Sequence, residues 1–143
     1  MQSDTARKES EFWVNREDTP YGLKYRLLAV ILSSVPAGTQ FSRGKDNLDS
    51  RLCDVLSEET NPLITDNFHF HPNYRTCIEI QELLSANLDY GRVIGLKNHG
   101  LDFLFMVTEF THEIAREIED LQLLDRDQIA YLKDVGKKLL PNR

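Results

Sequence analysis

The sequence predicts an α+β fold, predominantly α, with five to six helices and a small β-hairpin or two- to three-stranded sheet. Three observations carry that prediction. Apolar residues recur at three- and four-residue spacings over most of the chain. Helix-start signals precede several of those stretches: Thr19-Pro20, Asp46, Pro72-Asn73 and Asp125. Short β-prone runs lie between them, at "GTQFSR", "RVIGLK" and "LDFLFMV". With 143 residues, the chain is read as one domain, 1–143, with 1–5 disordered.

Taken in order, "TARKESEFWVNRE" can form a first helix ending before Pro20. Thr19 is then a cap and Pro20 a first helical residue, whose missing N–H costs nothing there. The helix 20–35 is apolar on nearly every side across "LLAVIL", which places it in the middle of the domain. Pro36 ends it, because proline disfavours helical geometry in the residue before it. A short strand is expected within 38–43. Asp46 caps the next helix, with Leu48, Leu52, Val55 and Leu56 on one face, and "SEETNPLITDN" reads as a loop.

Pro72 and Asn73 open a helix with Cys77, Ile80, Leu84 and Leu88 on a common stripe, and 92–97 reads as a strand. Residues 98–107 allow two readings. Either Asn98, His99 and Gly100 turn a hairpin, or Asn98 caps a helix with the seam Phe103, Val107, Phe110, Ile114, Ile118 and Leu121. The bunched Phe-Leu-Phe-Met-Val favours the hairpin. Beyond Thr111 the pattern is helical. Asp125 and Gln128 then form a capping box for a last helix that turns Ile129, Leu132, Val135 and Leu139 inward and stops at Pro141.

The totals exclude several classes. A 41% hydrophobic and 28% charged composition is that of a globular chain. The longest apolar run, six residues at 27–32, is about a third of a membrane span, and the amino terminus lacks a secretory pattern. Two cysteines, Cys53 and Cys77, make no disulfide framework, so reduced thiols and a cytoplasmic location are expected. A net charge of −6 opposes unspecific nucleic-acid binding. The charge is uneven: residues 20–53 sum to +3, 99–130 to −6 and 131–143 to +3. Such a body suits charge-steered docking on a partner.

Chemistry-bearing patterns are few. His69 and His71 in "NFHFHPNYRTC" are two apart, so on a strand both could reach one ion. A site needs further ligands, for which Cys77, His99, His112, Glu109 and Glu113 are candidates without diagnostic spacing. The simpler reading has Phe68 and Phe70 inward and the histidines outward. "THEIAR" begins like a metalloprotease helix but has Arg116 where the second histidine belongs. "GTQFSRGKD" fails as a phosphate loop, with five residues between its glycines and Asp46 after Lys45. Arg43, Lys45 and Arg51 remain an anion-binding candidate. A Cys77–His nucleophile has no supporting flanks. No catalytic residue and no cofactor is assigned.

The order of helix, strand, two helices and hairpin over 20–107 resembles a winged-helix module followed by two helices that could pair two subunits. The resemblance implies a DNA-reading third helix. Residues 73–87, however, offer Arg75 as their one cation against Glu79 and Glu82. The leading expectation is a small non-enzymatic regulatory or inhibitory protein that binds another protein. Glu109, Glu113, Glu117 and Asp120 would meet a basic or nucleic-acid-binding target, with Phe12 and Trp13 as aromatic anchors. Glu113, Arg116 and Asp120 also have the spacing of surface ion pairs. The alternatives are a homodimeric winged-helix-like DNA-binding regulator using 43–51 and the hairpin tip, and a metal-dependent enzyme centred on His69 and His71.

Overall fold

The computed structural model describes residues 20–41, 47–74, 76–90, 97–99 and 104–140. Among them lie six helices: α1 (Pro20–Leu32), α2 (Leu48–Leu56), α3 (Pro62–Thr65), α4 (Ile78–Tyr90), α5 (Glu109–Asp120) and α6 (Arg126–Lys137). Three short strands, β1 (Gln40–Phe41), β2 (Lys97–His99) and β3 (Leu104–Met106), form one antiparallel sheet in the order β1-β3-β2. The fold is therefore α+β and predominantly α. The first helix expected around 5–17 lies outside the described residues.

α1 is the centre of the packing. From Leu27 to Leu32 every side chain is fully buried, together with Tyr25 and Val35. A helix apolar all round has to be enclosed, and α5 and α6 supply most of the enclosure. α6 comes so close that a Cβ on Gly136 would stand 2.0 Å from the Ile31 carbonyl oxygen. Glycine costs about 1 kcal/mol against alanine inside a helix, and here that cost is offset by contact between two backbones. Ser34 Oγ adds a hydrogen bond to the Lys133 carbonyl at 2.6 Å.

Between β2 and β3 the hairpin reading holds, with Lys97 opposite Met106, Asn98 opposite Phe105 and His99 opposite Leu104. Asn98 and His99 belong to the strand rather than to the turn, and residues 100–103 lie outside the described residues. β3 is the middle strand and also pairs with β1, Gln40 opposite Met106. Gly38, at φ 93°, turns the chain into β1, and its N–H donates to the Val107 carbonyl at 2.8 Å. That left-handed geometry favours glycine.

Several boundaries differ from the sequence reading. The cap of α2 is Asn47, whose side chain accepts from Ser50 N–H, not Asp46. Within the expected loop 57–67, Asn61 accepts from Leu63 N–H and Pro62 takes the first helical position, which closes the single turn of α3. α4 starts at Ile78 rather than at Pro72, because Pro72–Tyr74 form a turn and Cys77 bridges to Phe70. At the end of α5, Leu121 is 51% exposed instead of completing the buried seam. The helix stops there because Gln122 adopts φ 55°, and Leu123 N–H returns to the Ile118 carbonyl at 3.0 Å, a Schellman closure. α6 opens as expected, with reciprocal bonds between Asp125 and Gln128 at 2.8 and 3.0 Å.

Gly136→Ala tests the close approach of α1 and α6. Alanine at an unobstructed helical position would stabilise the chain by about 1 kcal/mol. Here the expected result is a loss of roughly 1–3 kcal/mol from overpacking, seen as a lower urea midpoint.

Candidate functional site

The histidine segment is held by its neighbours. Phe68 is buried and Phe70 half-buried against the core, while His69 and His71 are exposed, the alternation the sequence predicts. It is a bridged loop more than a strand. Phe70 pairs with Cys77, and His71 N–H donates to the Thr76 carbonyl at 2.8 Å. Glu79, in the first turn of α4, fastens the loop from below. It accepts from His69 N–H at 3.0 Å, from His69 Nδ1 at 2.8 Å and from the Cys77 thiol at 3.2 Å. Burial alone would raise the Glu79 pKa, but the His69 and Cys77 hydrogen bonds outweigh it and bring the pKa down to about 2.

His71 faces another way. Its Nδ1 accepts from Asn73 N–H at 3.1 Å, and its ring lies 4.9 Å from that of Tyr74 at 35°. The two imidazoles thus use their Nδ1 atoms on different partners. Of the further ligand candidates, His112 donates from Nε2 to the Val35 carbonyl at 2.9 Å, and Cys77 is turned to Glu79. Glu109 and Glu113 lie on the exposed side of α5, and His99 lies in β2. Among the described residues, no group of three His, Cys, Asp or Glu side chains could hold a metal ion.

Both thiols are free and buried. Burial, then the charge and hydrogen bond of Asp49, push the Cys53 pKa up to about 12. Burial likewise lifts Cys77 to about 11. A nucleophilic cysteine requires the opposite shift.

The basic candidates also divide. Arg43 and Lys45 lie outside the described residues. Arg51 instead donates to the carbonyls of Lys138 and Leu139 at 3.0 and 3.1 Å, a cation at the C-terminal end of α6 rather than an anion site.

α5 supplies the acidic face. Phe110, Thr111, Ile114, Ala115 and Ile118 are buried, leaving Glu109, Glu113, Arg116, Glu119 and Asp120 exposed and Glu117 half-buried. Glu109, Glu113, Arg116 and Asp120 are spaced by four, three and four and so share one stripe. The ion pairs expected among Glu113, Arg116 and Asp120 are not formed within 4.0 Å, and Glu119 reaches Lys133 only at 4.0 Å. Phe12 and Trp13, the expected anchors, lie outside the described residues.

Two exposed apolar side chains escaped the sequence reading. Tyr74 is 74% and Ile78 62% exposed, at the turn before α4 and in its first residue. A signal was present for Ile78, which is off the stripe that Ile80 and Leu84 share. None was present for Tyr74, whose exposure follows from the turn at 72–74.

The Glu79 clip gives a signed pH dependence. Its folded pKa of about 2 lies below the ordinary 4.5. Its contribution is therefore complete above about 4.5 and is lost as pH falls through about 2. Glu79→Gln is expected to lower the urea midpoint at pH 7 and to flatten the fall in stability between those two pH values. For the thiols, labelling with iodoacetamide at pH 8 should be slow in the native chain and rapid in urea; fast native labelling of Cys77 would contradict its placement. No family model, no curated protein and no solved structure matches the chain.

Proposed function

We propose that this chain is a small regulatory or inhibitory module that acts by binding another protein. The observation that carries the reading is the outward side of α5: exposed Glu109, Glu113 and Asp120 on one stripe, with the cation of that stripe, Arg116, unpaired to either acidic neighbour. Carboxylates left unneutralised on a rigid helix suit a basic target. They steer encounter and set orientation more than they add affinity. A target that normally binds nucleic acid fits this chemistry, because spaced carboxylates can stand in for phosphates.

A second reading is favoured by the order of elements. Helix, strand, helices and hairpin, with the sheet order β1-β3-β2, resemble a winged-helix module. In a DNA reader of that kind the helix before the hairpin presents cations to the major groove and to phosphates. The described outward positions of α4 are Ile78, Gln81 and Glu82, an apolar residue, an amide and an acid. We therefore favour the module as a protein-contact scaffold, consistent with the rule that a fold does not fix its function.

Replacing Glu109, Glu113 and Asp120 together by lysine should leave folding stability within about 0.5 kcal/mol, since all three are exposed. The same variant should lose at least tenfold in affinity for a basic partner recovered from the native host. Undiminished capture by the triple variant sinks the acidic-face reading. Binding of duplex DNA that weakens steeply as salt rises would decide for the second reading.

A further inference from the structure

We draw no further inference here: the strongest candidate, the exposed apolar surface patch of Tyr74 in the turn before α4 and Ile78 in its first residue, carries none because nothing in the structure shows what covers it.

Discussion

The structure depends on enclosing α1. Six consecutive side chains with no exposure leave the 27–32 stretch no solvent face, and α5 and α6 are the helices that pack most closely around it. The tightest closure is at Gly136, where α6 brings its backbone against the Ile31 carbonyl. That approach does more than fill space. It brings Ser34 onto the Lys133 carbonyl and carries the end of α6 to α2, where Arg51 takes the last carbonyls. Beyond α2, Glu59 accepts from Tyr131 at 2.6 Å and from Lys138 at 2.7 Å. These two hydrogen bonds outweigh burial and hold the Glu59 carboxyl below its ordinary pKa. The C-terminal helices thus spend their apolar faces on this chain's own core.

A consequence is that residues with chemical potential serve as fasteners. His112 ties α5 to the turn after α1 through the Val35 carbonyl. His69 and Cys77 converge on Glu79 and lock the 68–77 loop to α4. Arg51 satisfies carbonyls that a helix end leaves open. With these groups engaged inward, the functional reading rests on what remains outside, the exposed carboxylates of α5. None of the expected roles for Phe12 and Trp13 enters that reading, since both lie outside the described residues.

Periodicity and caps carried much of the architecture. The burial of α1, the inward faces of α2 and α6, the Asp125–Gln128 box and the inside-outside alternation of 68–71 follow from local pattern. They depend on which side of a helix or extended segment a residue occupies and on backbone groups within one turn. The β2–β3 hairpin was a closer decision, because a short apolar run suits either a strand or a buried helix. Pairing with β1 on the far edge of β3 decides it, a contact some sixty residues away in the chain.

Other features have no local signature. Gly136 reads as a poor helix residue until α1 is known to pass against it, and Leu121 reads as the end of a seam until Gln122 reverses the chain. The convergence of His69 and Cys77 on Glu79 joins residues that only packing brings together. The sequence alone determined how apolar and charged residues are sorted and where most helices lie, since those depend on neighbours within a turn. Only the tertiary structure decided which polar groups are consumed internally and which stay available to a partner, because that depends on distances between segments far apart in the chain.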